Sequence, residues 1–243
     1  MPDGRLQRLI GFQDEVRLAF EWDYSDDLDS AKSMESIFSQ ASPYGIESWS
    51  EKSRNLCLQK ICEELQHCER VVIIGAAVEK QEIAELNLEN TAVIAADGSV
   101  GAMIDYEFLT CVISDLDGGQ HIDLAAEKSQ RFVLHAHGDN LTKWQNIVEN
   151  WSQLKTPPEI ILSHQTNENM NGMYNFGGFT DGDRAVCFAL WAGVKVKQIE
   201  LIGFSTKKVG AWSGTTNQDR KMKKLSWMKK ILTFLNLEKN IKH

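Results

Sequence analysis

Cys111-Val112-Ile113-Ser114-Asp115-Leu116-Asp117-Gly118-Gly119 passes directly from an apolar run to two acids and a pair of glycines. The same change recurs along the chain. Short apolar runs lie at 71–74, 92–95, 111–113, 132–134, 160–162 and 199–202, and helical stretches near 79–87, 121–129, 141–154 and 182–193 separate most of them. Runs without polar alternation fit strands covered on both faces. Strands alternating with helices imply βαβ units. The expected fold is therefore α/β, with a mainly parallel sheet flanked by helices.

Polar residues gather where these strands end. Asp97-Gly98-Ser99 follows the second run, and His135-Ala136-His137-Gly138-Asp139-Asn140 the fourth. Ser163-His164-Gln165-Thr166-Asn167 follows the fifth. Open α/β sheets bind ligands outside the carboxyl ends of their strands. Asp97, Asp115, Asp117 and Asp139 are thus expected around one crevice, where their repulsion calls for a cation. Asp115 and Asp117, two apart on an extended segment, would share a face. Oxygen ligands of this kind suit Mg²⁺. His135 and His137 lack partners at structural-zinc spacing and read as packing or hydrogen-bonding groups.

Upstream, residues 1–67 read as a helical N-terminal part, with helices near 5–20, 27–40 and 49–66. Ser48 and Glu51 have the spacing of a capping box, and Leu58, Ile61, Cys62 and Leu65 recur at helical spacing behind them. No repeat or Gly/Ser-rich linker divides the chain. The expectation is one catalytic domain over 1–243, with its sheet-containing core at 68–243.

Composition narrows the class. With 42% hydrophobic and 25% charged residues the chain reads as globular. It has no apolar run of membrane-spanning length, and its start, Met1-Pro2-Asp3, lacks the features of a secretory signal. Five scattered cysteines point to reduced thiols and a cytoplasmic location, with Cys111 and Cys187 in the core. The net charge of −8 argues against general nucleic-acid binding. Acids concentrate at 23–29 and bases from Arg220 to Lys242.

Two C-terminal features remain. Gly177-Gly178 precedes Thr180-Asp181-Gly182-Asp183-Arg184, which opens an apolar helix. Thr180 and Asp183 cap that helix, the glycines would let backbone N–H groups approach an anion, and Arg184 would stabilise charge on a transferred phosphate. Farther on, Leu225, Met228, Leu232 and Leu235 mark a buried helical stripe. Lys221 lies one turn earlier on it, either snorkelling to water at the helix end or reaching a phosphate, while Lys223 and Lys229 fall off it into solvent. Walker A, dinucleotide-binding and nucleophile-elbow motifs are absent.

The ordered set Ala96-Asp97-Gly98-Ser99, Ser114-Asp115-Leu116-Asp117-Gly118, His135–Asn140 and Gly178–Ala185 resembles that of the archaeal 6-hydroxymethyl-7,8-dihydropterin pyrophosphokinases, over roughly residues 70–235. That family is similar to the catalytic domain of thiamine pyrophosphokinases. The resemblance implies transfer of diphosphate from ATP to the pterin hydroxymethyl group, with Mg²⁺, in folate or tetrahydromethanopterin biosynthesis. It carries the metal and phosphate site over to Asp97, Asp115, Asp117 and Asp139, and the glycine loop over to Gly177, Gly178, Asp181, Asp183 and Arg184. Gly98, Ser99, Thr180 and Lys221 join the nucleotide contacts, and Asn140, Gln165, Asn167 and Asn175 are candidates for the pterin edge. Asp97 and Asp139 both stand open as second-metal or proton-accepting groups.

The chain departs from the family in two places. Gly75-Ala76-Ala77-Val78-Glu79 stands where a Gly-x-Gly-Pro-Ser-like loop is expected, and Gly203-Phe204-Ser205-Thr206 carries no acid. The expected partners are ATP and a pterin, with no nucleic acid and no membrane, and with a homodimer left open. Three readings compete: a thiamine pyrophosphokinase, an Asp-x-Asp nucleotide-sugar glycosyltransferase and a non-catalytic nucleotide-binding module.

Overall fold

The computed structural model describes residues 3–214 and 217–241. Met1 and Pro2, and Lys242 at the basic end, lie outside the described residues. Three helices come first: α1 (Asp3–Phe20), α2 (Tyr24–Phe38) and α3 (Glu51–His67). Strands and helices then alternate as β1 (Arg70–Ile74), α4 (Lys80–Ala84), β2 (Thr91–Ala96), β3 (Leu109–Ser114), α5 (Gln120–Glu127), β4 (Phe132–Ala136) and α6 (Leu141–Ser152). The series closes with β5 (Ile160–His164), α7 (Asp181–Trp191), β6 (Ile199–Ile202) and α8 (Gln218–Phe234).

The six strands form one parallel sheet in the order β5-β4-β3-β2-β1-β6. Both faces are covered, which is why the strands lack polar alternation. Val71 and Ile73 pack into a layer with α1, α3, α7 and α8. Val72 and Ile74 point the other way, into a layer with α2, α5 and α6. The chain steps outward from β1 to β5, then returns to place β6 on the other flank of β1. The strand order therefore reverses between β1 and β6, where such sheets open a crevice.

Two local expectations change. The helix expected at 79–87 is only α4, because the Asn87 side chain takes the Glu89 N–H at 3.0 Å and Asn90 adopts a positive φ of 49°. A side chain that offers the backbone such a turn ends a short helix. The box expected from Ser48 and Glu51 does not form. Trp49 is buried and donates its indole N–H to the Pro158 carbonyl at 2.7 Å, so residues 47–49 make a separate 3₁₀ turn. Ser50 then caps α3, its hydroxyl accepting the Ser53 N–H. The C-terminal stripe forms as expected, with Leu225, Met228, Leu232 and Leu235 all buried. Cys111 and Cys187 are fully buried, and all five cysteines are free.

α1 lies against the segment leading into α7. Gly177 has φ +79°, and a Cβ there would stand 2.7 Å from Leu9 Cβ. Gly177→Ala combines a left-handed alanine with an overpacked contact and should cost about 2–4 kcal/mol. Thermal unfolding should drop by roughly 5–15 °C; a fall of less than 2 °C, read by calorimetry, would show that α1 yields freely.

Candidate active site

The carboxyl ends of β2 and β3 bring Asp97, Asp115 and Asp117 together. One carboxylate oxygen from each lies within 4.8 Å of the others. The route differs from the extended segment the sequence suggests. Leu116 has φ +68° and is buried, so a turn, with Leu116 as its anchor in the core, brings both acids to the cluster, Asp115 buried and Asp117 exposed. Asp97 also has a positive φ, 50°. Its carboxylate accepts the Ser114 hydroxyl at 2.6 Å, and that hydroxyl accepts the Leu116 N–H at 2.8 Å. Gly118 fits only because it lacks a side chain: a Cβ would sit 2.6 Å from the Gly98 nitrogen.

Crowding moves these acids in opposite directions. Burial pushes Asp97 well above the carboxylate range, and the nearby charges of Asp181, Asp115 and Asp117 push it further. Burial also acts to raise Asp115, but the His137 hydrogen bond, the nearby His137 ring and the positive charges of Arg184 and Lys224 outweigh it and hold the group low. Asp181, at the start of α7, is pushed up to about 7 by burial and by Asp115, against the pull of Arg184. Without a cation, protons are thus favoured on Asp97 and Asp181 over Asp115.

A divalent cation fits this donor set. Asp115 Oδ2 lies 3.3 Å from His137 Nε2, but its Oδ1 is buried without a hydrogen-bond partner among the described residues. An orphaned carboxylate oxygen beside two further carboxylates is what a hard, oxygen-preferring ion completes. Asp97, Asp115 and Asp117 would hold it.

Two recesses meet at this cluster. One lies at the strand-order reversal, bounded by Gly75–Ala77 after β1, Gly203–Ser205 after β6, Thr180–Gly182 and Trp212. The loop with Gly75, which departs from the family's pattern, therefore lines the cleft. The other recess carries Lys143, Arg220 and Lys224 beside Asp115, Asp117 and His137. Lys221 and Arg184 face a small space shared with Asp117 and Asp181. Burial lowers the Lys224 ammonium, and Asp115 pulls it back up.

Other expected site residues make local contacts of their own. Asp139 is not one of the three clustered carboxylates, but it lines the recess with Lys143 and Lys224, exposed and paired with Arg220. The Ser99 hydroxyl donates to the Ile74 carbonyl at 2.8 Å. Asn140 donates to the carbonyls of Asp115 and His135 at 2.9 and 2.7 Å, and its oxygen accepts the His137 N–H. Gln165 bonds Asp27 and Arg184. Asp183 caps α7 through the N–H groups of Phe179 and Thr180, with the Thr180 hydroxyl. Gly177 and Gly178 are tight packing positions, with Gly178 against the Arg184 backbone. Asn167 and Asn175 bond α1 residues Asp14 and Gln13. Lys223 and Lys229 are both exposed, as expected, with Lys223 also lying over the Phe20 ring and donating to the Ala19 carbonyl.

Lys224 escaped the sequence reading, although its place three residues after Lys221 puts it on the same helix face. Trp22, which lines the recess beside Phe179, carried no sequence signal because it sits between α1 and α2.

No family model matches the chain. Among curated proteins it is similar to the 6-hydroxymethyl-7,8-dihydropterin pyrophosphokinase of Pyrococcus furiosus, 36% identical over 176 residues, covering 69% of this chain and 72% of the relative. The protein of the same name from Methanocaldococcus jannaschii is 30% identical over 205 residues, covering 79% and 76%. That of Methanothermobacter thermautotrophicus is 34% identical over 123 residues, covering 50% and 49%.

The raised Asp181 pKa has a stability consequence. The native state binds its proton up to about 7, whereas the unfolded chain releases it near 3.8. Stability from this group is thus full below about 3.8 and is lost as pH rises through 7. In metal-free protein, Asp181→Asn should leave the melting temperature unchanged near pH 4 and raise it by several degrees at pH 8, on the order of a few kcal/mol. Equal melting temperatures at pH 8 in chelator would show that Asp181 is not held under repulsion.

Proposed function

Because the chain belongs to the 6-hydroxymethyl-7,8-dihydropterin pyrophosphokinase family, we propose that it transfers diphosphate from ATP to the hydroxymethyl group of 6-hydroxymethyl-7,8-dihydropterin, releasing AMP. The observation that carries the reading is the three-carboxylate cluster with the orphaned Asp115 oxygen, set among cations at the carboxyl edge of the sheet. The pterin hydroxyl oxygen attacks the β-phosphorus. The bond from that phosphorus to the bridging oxygen of the α-phosphate breaks, and AMP leaves with the bond's electron pair. Position and electrostatics carry most of such a transfer.

Asp115, Asp117 and Asp97 would hold Mg²⁺, which would supply positive charge to neutralise the polyphosphate. The first-turn N–H groups of α7, at Asp181 and Gly182, present the positive end of the helix to the same space. Lys221, Lys224 and Arg184 surround it with positive charge, most useful where negative charge accumulates on the leaving α-phosphate. Asp181, outside the three-carboxylate cluster and oriented by Arg184 at 3.2 Å, is the carboxylate left to receive the hydroxyl proton. Trp212, its indole N–H bonded to the Val78 carbonyl at 2.9 Å, covers one side of the cleft and limits water there.

Free cysteines agree with work in a reducing cytoplasm. Among the described residues no helix is long and apolar enough to cross a membrane.

The deciding assay supplies ATP and Mg²⁺ with either the hydroxymethyl pterin or thiamine and follows AMP. Pterin-dependent AMP is expected. AMP with thiamine alone would move the assignment to the thiamine enzymes, and UDP release from a nucleotide sugar would move it to glycosyl transfer. Asp115→Asn and Asp117→Asn should each lower kcat by about 10²–10³ with folding intact. Lys221→Met and Lys224→Met should each lower kcat/KM for ATP about tenfold or more, whereas the exposed Lys229→Met leaves it unchanged. Equal small effects at all three lysines would remove the α8 face from the site.

A further inference from the structure

Asp27 lies on α2, outside the cleft and only 4% exposed, yet its two oxygens collect four hydrogen bonds. Oδ2 accepts from Arg17 at 2.8 Å and from the Gln165 amide nitrogen at 2.9 Å. Oδ1 accepts from the same amide at 2.9 Å and from the Gly138 N–H at 2.8 Å. Arg17, the counter-ion from α1, is equally buried and also donates to the Gln165 carbonyl at 3.0 Å. A buried ion pair of this kind is a weak source of stability, because desolvation offsets most of the attraction. Its directional bonds invite a different account.

Two arms leave Asp27 and end at acids of the cleft. Along the first, Gln165 turns its amide nitrogen to Asp27, so its oxygen faces Arg184 Nη2 at 3.0 Å; Arg184 Nη1 then donates to Asp181 at 3.2 Å. A carboxamide suits this place, since it gives a donor to a carboxylate at one end and an acceptor to a guanidinium at the other. Along the second arm, the Gly138 N–H anchors the turn 137–140. From that turn His137 reaches Asp115 Oδ2 at 3.3 Å and Asn140 holds the Asp115 carbonyl at 2.9 Å. α2 comes so close here that a Cβ on Gly138 would stand 2.6 Å from Asp26 Cβ.

We propose that Asp27, neutralised by Arg17, is a positioning residue for the transfer: it orients Arg184 through Gln165 and Asp115 through the turn 137–140. The N-terminal helices are then a working part of the active site and not only a cover for the sheet. The kinetic half of this inference rests on the pyrophosphokinase reading; the metal-binding half does not.

The test compares Asp27→Asn and Gln165→Leu with Asp29→Asn, which removes the same charge from an exposed position on α2. Asparagine at 27 cannot accept all four bonds. Asp27→Asn should lower kcat for AMP formation about tenfold or more, with KM for ATP within twofold, as expected for misplaced catalytic groups. Gln165→Leu keeps the Arg17–Asp27 pair and should give the same split. Combining either with Arg184→Lys should cost no more than about twofold beyond the worse single variant, because both act through one group.

Mn²⁺ titration by electron paramagnetic resonance, without nucleotide, separates the arms. Asp27→Asn should weaken Mn²⁺ binding severalfold, while Gln165→Leu, with the turn 137–140 intact, should not. Wild-type kcat in Gln165→Leu, or losses that multiply with Arg184→Lys, would overturn the proposal even if Asp27→Asn failed to fold. Mn²⁺ binding that responds in this pattern, in a protein that makes no AMP from the pterin, would sink the reaction assigned above and leave the second arm standing.

Discussion

Mutual repulsion among carboxylates at one edge of the sheet is the condition to which the rest of the site answers. Asp97, Asp115, Asp117 and Asp181 share a small space, and three of them cluster closely enough for one ion. The protein meets this charge in two ways. Some of it is offset by burial, which shifts Asp97 and Asp181 toward their neutral forms when no cation is bound. The rest is countered by cations drawn from separate elements: Arg184 on α7, Lys221 and Lys224 on α8. An acidic chain of net charge −8 thus gathers positive charge where phosphate would enter.

Holding such groups together takes backbone that relaxed chains avoid. Asp97 and Leu116, neither of them glycine, both adopt left-handed φ values. Each such residue costs of order 1 kcal/mol or more and persists only when its surroundings over-determine it. Here they do: Leu116 is buried in the core, and Ser114 links both strand ends with one hydroxyl. Asn140 and Asp183 act similarly, each bonding several backbone groups beside the acids. Many polar residues around the cleft serve to fix others.

That division explains what could be read from the sequence. Strand periodicity and the acids at strand ends were legible because both follow from local pattern: a doubly covered strand is apolar throughout, and ligands gather at its carboxyl end. Asn140 and Gln165 were legible as residues near the site but not as internal ties, since an amide's partners depend on elements far away in the chain. Asp139 was legible as an acid of the crevice, but its pairing with Arg220 was not, since that partner lies 81 residues away. Lys224 was hidden among seven lysines in the last 25 residues, where the apolar stripe drew attention to Lys221 alone. Trp22 and Asp27 lay in a part whose helices could be recognised but whose docking face could not.

The return of the chain to β1 also sets an order of events during synthesis. β6 pairs with β1 across 128 residues, Val71 against Ile199, and α1 packs on Gly177, more than 150 residues downstream. When β5 has just left the ribosome, the nascent protein already holds Asp97, Asp115 and Asp117. It still lacks Arg184, Lys221 and Lys224, and one flank of β1 is bare. Such distant pairings make for slow folding and for unpaired strand edges in the meantime. The segment after β5 therefore does two jobs at once, sealing the exposed edge of β1 and bringing the positive charge that the earlier acids await.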